Sequence, residues 1–204
     1  MDKQQAAEEL ATIRDLIERP VQLSVMSGAA GVFAAAVALA GLIADAVIWR
    51  SIPARLATVV EILLWGGVFV AALAGALLLV RRRERKMSLP FWSAARKREL
   101  RAAGAPFCVG VALTLAIIAQ WFLYGSQVWS LWGLIPPIWM ACYGLACWQI
   151  SEFGPPELRV MAVAFMASAV AAVFLPLYPY LILAVTFGGY HLVYGVVVWI
   201  RHGG

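Results

Sequence analysis

The feature that most constrains this sequence is a run of 50 residues, Ala102 to Ser151, that contains no Asp, Glu, Lys or Arg. A second run of 41 residues, Val160 to Ile200, also lacks these four residue types and carries a single histidine, His191. A helix rises about 1.5 Å per residue, and the hydrocarbon core of a bilayer is about 30 Å thick. Each run can therefore cross a membrane twice, and the sequence predicts two helical hairpins within a bilayer.

The composition agrees with a membrane protein. Hydrophobic residues make up 63% of the chain and charged residues 13%, against about 25% charged residues in an average soluble domain. We therefore predict an all-α fold, a polytopic transmembrane bundle of six helices that occupies residues 20–204. The predicted spans lie near residues 21–48, 58–80, 105–124, 128–149, 159–175 and 179–200.

The first 19 residues are polar and mixed in charge, unlike the rest of the chain. Leu10, Ile13 and Ile17 recur at helical spacing, which favours a short amphipathic helix over residues 3–19, lying on the cytoplasmic face. A disordered tail is the alternative.

The positions of lysine and arginine predict the orientation. With six spans, 14 of the 16 basic residues fall on the side that also carries both termini, and Arg50 and Arg55 fall on the other. Cytoplasmic loops carry the excess of Lys and Arg. Both termini are therefore placed in the cytoplasm, and the chain is predicted to be a multi-pass protein of the bacterial inner (cytoplasmic) membrane.

The segment 81–101 is a basic cytoplasmic loop in this interpretation. Ser88 is typical of a helix start, so we expect a membrane-lying helix whose basic side chains meet anionic lipid headgroups. A docking surface for an acidic cytoplasmic partner is the sharper alternative, and nucleic acid is not expected because phospholipid already engages these charges. The residues assigned to this basic membrane surface are Arg81, Arg82, Arg83, Arg96, Lys97, Arg98 and Arg101.

Asp45 and Glu61 are the carboxylates closest to the predicted lipid core. Ionisable groups inside a membrane are costly and indicate function by default. Both, however, lie near the outer surface and near Arg50 and Arg55. A structural cap across the first hairpin is favoured, and a pair that couples to protons or cations is the alternative.

A candidate ligand pocket is predicted between the fourth and sixth spans. Pro137 is expected to kink the fourth span near its middle, and Gly188 and Gly189 to weaken the sixth at a matching depth. A neutral, hydrogen-bonded His191 is favoured over a ligand-binding one, and no metal or cofactor is predicted, because no second strong ligand lies at its depth. The predicted lining residues are Trp139, Tyr143, Tyr190, His191 and Tyr194.

An internal repeat links the same two spans. The motif of Tyr143, Gly144 and Trp148 returns 51 residues later as Tyr194, Gly195 and Trp199. The second and third hairpins are therefore interpreted as possible parallel repeats, a mode in which transporters are built. Chance matching in so apolar a sequence is the alternative.

Three places together resemble a family of small, uncharacterised bacterial membrane proteins with about six spans. They are the segment from Ile13 to Arg19 leading into Ser24, Ser27, Gly28 and Gly31; the loop Glu157-Leu158-Arg159; and His191 with Tyr194 and Gly195. The resemblance implies this topology and leaves the function open.

The sequence shows no nucleophile–base arrangement and no glycine loop for phosphate, so an enzyme is not expected. The leading hypothesis is a non-enzymatic accessory or regulatory membrane subunit whose basic surface meets lipid and a protein partner. A small transporter or channel using the fourth and sixth spans is the alternative.

Small residues at spacing four, such as Gly67, Ala71 and Gly75, serve either packing within the chain or a homo-oligomer.

Overall fold

The computed structural model describes residues 27–51, 53–86, 94–125, 129–175 and 179–202, with Glu9 and Trp92 as single further positions. The regular structure in these ranges is helical throughout, which confirms the all-α class. The amphipathic helix expected within residues 1–19 and the start of the first span lie outside the described residues. The helices are α1 (Gly28–Ser51), α2 (Ala54–Lys86), α3 (Ala94–Tyr124), α4 (Trp129–Trp132), α5 (Ile135–Ser151), α6 (Pro156–Phe174), α7 (Pro179–Leu183) and α8 (His191–His202), with a π-helical segment (Ala184–Tyr190) between α7 and α8.

Among the described residues, five helices are long and apolar enough to cross a membrane, which supports an integral membrane protein. The fourth predicted span is shorter: α5 has 17 residues, or about 26 Å of helix, and the four-residue α4 precedes it. Gly125 has a φ of 62° and ends the third span where the sequence predicted a turn. The five long spans are Gly28–Ile48, Leu56–Lys86, Arg96–Tyr124, Pro156–Phe174 and Leu181–Arg201.

The prediction that Pro137 kinks the fourth span near its middle is wrong. Pro136 and Pro137 lie in the first turn of α5, where amide groups have no acceptor within the helix, so the missing N–H costs nothing. Helical bonding begins with the amide of Ile138, which donates to the carbonyl of Leu134 at 3.0 Å. The prolines therefore start this helix.

The sixth span is interrupted where glycine was expected to weaken it. Gly188 and Gly189 lie in the π-helical segment, in which the helix is locally wider. Gly188 is buried against α1, and a Cβ at this position would lie 2.6 Å from Cδ2 of Leu39. A larger residue would therefore require the Leu39 side chain to move.

Where the structure describes it, the basic segment 81–101 is helix rather than loop, and residues 94–101 do not form the expected separate membrane-lying helix. The helix start expected at Ser88 lies outside the described residues. Residues 81–86 are the last turns of α2, and residues 94–101 are the first turns of α3, continuous with the third span. Arg, Lys and Glu are good helix formers, which allows both helices to extend past the apolar region.

The last helix packs mainly against the first helix rather than against α6. A Cβ on Gly195 would lie 2.6 Å from the amide nitrogen of Val32, and one on Gly28 would lie 2.6 Å from the carbonyl oxygen of Gly195. The two backbones therefore touch. Gly144, the repeat counterpart of Gly195, instead faces α6, where a Cβ would lie 3.0 Å from the Ala162 carbonyl oxygen. The repeat relationship itself stays a prediction.

Contacts between side chains place five helix ends together. Glu84 of α2 contacts Arg96 of α3, Arg98 contacts Phe153 after α5, and Arg201 of α8 contacts Glu157 of α6. We call this the basic end. Its assignment to the cytoplasm stays a prediction.

Candidate functional site

The centre of the bundle holds a hydrogen bond between the fourth and sixth spans. Nε2 of His191 lies 2.6 Å from the hydroxyl of Tyr143, and the imidazole is buried. The Phe187 ring stacks on the imidazole at a centroid distance of 5.9 Å, and the fully buried Phe165 packs edge-on against it at 5.5 Å. These rings exclude water, so the bond is made in an apolar environment.

The other predicted pocket residues extend this cluster. The hydroxyls of Tyr190 and Ser168 lie 2.9 Å apart and join the sixth span to α6. The indole nitrogen of Trp139 donates to Thr114 at 3.0 Å and so joins α5 to α3. The hydroxyl of Tyr194 is buried and has no hydrogen-bond partner among the residues described. Four of the five predicted residues, all except Tyr194, therefore form hydrogen bonds that join one helix to another.

A small cleft lies at the start of α5, towards the end of the bundle opposite the basic end. Its volume is about 40 Å³. None of the five residues predicted to line a pocket belongs to its wall, which carries no polar side chain. It is lined by Gly133, Pro136, Pro137, Met140, Ala172, Leu175 and Ile182.

The predicted polar pair comes together at the end opposite the basic end. Asp45 of α1 is fully buried and Glu61 of α2 partly buried, and their carboxylates are close enough to interact electrostatically. The side chain of Trp132 in α4 lies beside the Glu61 carboxylate. The pair thus spans the first hairpin beside α4. Both interpretations, the structural cap and the coupling pair, stay predictions.

Arg96 is not a membrane-surface residue, which corrects the prediction. It is 2% exposed, and its guanidinium lies 2.7 Å from a carboxylate oxygen of the equally buried Glu84. It also pairs with Glu99, one helical turn further along α3. A buried charge needs such partners, because desolvation costs several kcal/mol per ion. Neither glutamate was predicted to have a role, although each is the one acid within a run of basic residues.

Five other residues assigned to the basic surface are exposed, and Arg83 is half-buried. Their contact with lipid or a partner stays a prediction. The exposed set is Arg81, Arg82, Lys97, Arg98 and Arg101.

Aromatic rings hold two of the arginines at the basic end. The guanidinium carbon of Arg98 lies 4.6 Å from the centroid of the Phe153 ring, and that of Arg159 lies 5.1 Å from the Trp148 ring. Arg159 also pairs with Glu152 at 2.9 Å. Phe153 was not predicted to have a role, because nothing in its local sequence marks a ring that packs against a residue 55 positions away.

Within the described ranges, no three His, Cys, Asp or Glu side chains gather in a way that could hold a metal ion. The prediction that the protein has no metal site is not tested by this observation. Its three cysteines are unpaired thiols, with Cys142 and Cys147 buried and Cys108 exposed.

No family model, curated protein or solved structure matches this chain. The resemblance to small bacterial multi-pass proteins therefore stays a prediction, supported by the motifs quoted above. Function has to be argued from the arrangement of the residues.

Proposed function

We propose that this chain is a non-enzymatic subunit of the bacterial inner membrane, with an accessory or regulatory role. Its basic end meets anionic lipid, and its second span contacts a protein partner. The observation that carries the proposal is the position of α2, whose main packing partner within its own chain is α1, with ring contacts from Phe69 to Phe107 of α3 and Trp139 of α5. The most apolar stretch of this span contains no buried residue.

The exposed surface of α2 suits contact with another helix. An added Cβ on Gly66 or Gly67 would meet no atom within 4 Å, so this face is open. Small residues allow helix backbones to approach closely in lipid. Leu63 and Val70 on the same helix are 69% and 62% exposed, and they provide apolar area on either side of the glycines.

The centre of the bundle favours this proposal over transport. Met140 and Phe165 are fully buried there, and the Tyr143 ring packs against Phe165 at a centroid distance of 4.8 Å. A transport path needs polar groups along an open cavity at this depth. The described residues fill the region with rings and apolar side chains instead.

Site-specific photocross-linking in cells tests the partner contact. A photoreactive residue at position 70 on α2 is compared with one at position 193 on α8, because Val70 and Val193 are 62% and 63% exposed. We expect a discrete protein adduct from position 70 and only lipid adducts from position 193. The same adduct pattern from both positions would contradict the proposal.

A small transporter or channel is the second candidate. The π-helical segment favours it, because such segments are rare and occur often at functional sites, and this one ends at the buried His191. Reconstituted protein would then carry a solute flux that His191→Ala changes. The absence of any flux above that of protein-free vesicles would remove this candidate, and a flux that His191→Ala leaves unchanged would show that the path does not involve this residue.

A further inference from the structure

We propose that the basic end holds the headgroup of one acidic phospholipid, with the Arg98 guanidinium as its main contact and the Phe153 ring as the support that positions it. This proposal deepens the lipid contact in the proposed function and rests on it. The ligand class is a phosphodiester with net negative charge, in the leaflet that faces the basic end.

The first step is the contact between Arg98 and Phe153. A guanidinium lying over a ring is attracted to the ring face and loses conformational freedom before any ligand binds. Arg98 is exposed, so its N–H groups remain available to phosphate oxygens, which they bind in a two-pronged geometry. The ring therefore prepares this arginine for an anion.

The second step is the distribution of carboxylates around α3. Arg96, Arg159 and Arg201 each pair with a glutamate. In the part of the chain that the structure describes, Lys97, Arg98 and Arg101 form no such pair; the Arg101 side chain donates to the Lys97 carbonyl at 3.2 Å. Residues three and four apart lie on the same side of a helix. Three neighbouring cations thus remain without a counter-charge.

The third step is the depth of these three cations in the membrane. The uncharged run of the third span begins at Ala102, directly after Arg101, which places these cations at the level of the headgroups. Trp148 at the adjacent end of α5 is 38% exposed, and tryptophan is enriched at this level of the bilayer. Leu100, between the cations, is 44% exposed and can contact acyl chains. These surroundings select a lipid over a soluble phosphate.

Native mass spectrometry of the full chain in detergent tests the site, with phosphatidylglycerol and phosphatidylcholine as the probes. We expect one phosphatidylglycerol to be retained in preference to phosphatidylcholine. Arg98→Gln should weaken its binding about fivefold, the factor that one basic residue contributes near an anionic surface. Phe153→Leu keeps every charge and should still weaken binding about threefold, because the ring contact is lost.

Three controls separate the site from a general attraction. Phe153→Tyr keeps a ring and should bind like the wild type, which also shows that the position tolerates change. Phe174→Leu alters a ring that is 77% exposed at the opposite end and should have no effect. Arg82→Gln removes an exposed charge that contacts no aromatic ring among the described residues, and it should weaken binding less than Arg98→Gln does.

Two results would overturn the site. One is wild-type binding by Phe153→Leu together with equal losses in Arg98→Gln and Arg82→Gln, which would indicate a diffuse surface charge. The other is release of the lipid by inorganic phosphate, which would indicate a soluble anion. Neither affects the protein contact tested by cross-linking from position 70, so failure of the lipid site and of the proposed function can be told apart.

Discussion

The Tyr143 hydroxyl lies 2.6 Å from Nε2 of His191 and joins the fourth span to the sixth at the point where the π-helical segment ends. Both residues were singled out in the sequence as pocket residues. In the structure they are bonded to each other and enclosed by Phe165 and Phe187. Their bond therefore fixes the orientation of the imidazole and the position of the widened helix.

Loss of this bond should destabilise the protein. Tyr143→Phe removes the hydroxyl and leaves a buried imidazole nitrogen without its partner. We therefore expect the free energy of unfolding to fall by about 1 kcal/mol. Thermal unfolding in detergent measures the change. Tyr124→Phe is the matched control, because Tyr124 is 59% exposed, and it should unfold like the wild type. Equal stability of the two variants would show that the bond contributes nothing.

The contact between the first and last helices should not tolerate a methyl group. Gly195→Ala places a Cβ 2.6 Å from the Val32 amide nitrogen, and because backbone cannot move aside locally, the helices must separate. We expect the free energy of unfolding to fall by about 1–3 kcal/mol. A lower unfolding temperature in detergent is the measurement. Gly67→Ala adds the same methyl group in open space and should leave the temperature unchanged or raise it. A tolerated Gly195→Ala would contradict the close packing.

The helical class and most of the spans could be predicted, because long uncharged runs leave the backbone no partner but itself inside lipid. The neighbours of each helix could not. Nothing local marks Gly195 as the residue that meets Val32 of α1. The role of Pro137 was misjudged for a related reason: its effect depends on where the helix starts, and the turn at Gly133 and Leu134 moves that start into the apolar run.

The pair of Glu84 and Arg96 should behave as a single buried unit. Arg96→Ala leaves the 2% exposed Glu84 with its buried charge poorly compensated, so we expect a loss of about 3 kcal/mol or more in stability. The double variant Glu84→Gln with Arg96→Gln removes both charges and should be more stable than Arg96→Ala. Chemical unfolding provides the comparison, and Lys97→Ala, at an exposed position, is the control. A destabilisation by Arg96→Ala no greater than that by Lys97→Ala would contradict the account.

The basic end should face the cytoplasm. Single cysteines at positions 97 and 51, both exposed, lie at the basic end and at the far end of α1, respectively. In intact cells, with Cys108, Cys142 and Cys147 replaced, a membrane-impermeant thiol reagent should label position 51 and leave position 97 unlabelled, because the excess of basic residues stays inside. The reverse labelling would invert the orientation.

The measurement that tests the central claim most directly is the mass of the assembly extracted from its native membrane in mild detergent. The proposed accessory role predicts a second protein at fixed stoichiometry, retained together with acidic lipid. The chain alone, carrying a bound small solute and no second protein, would contradict that role and favour the transporter.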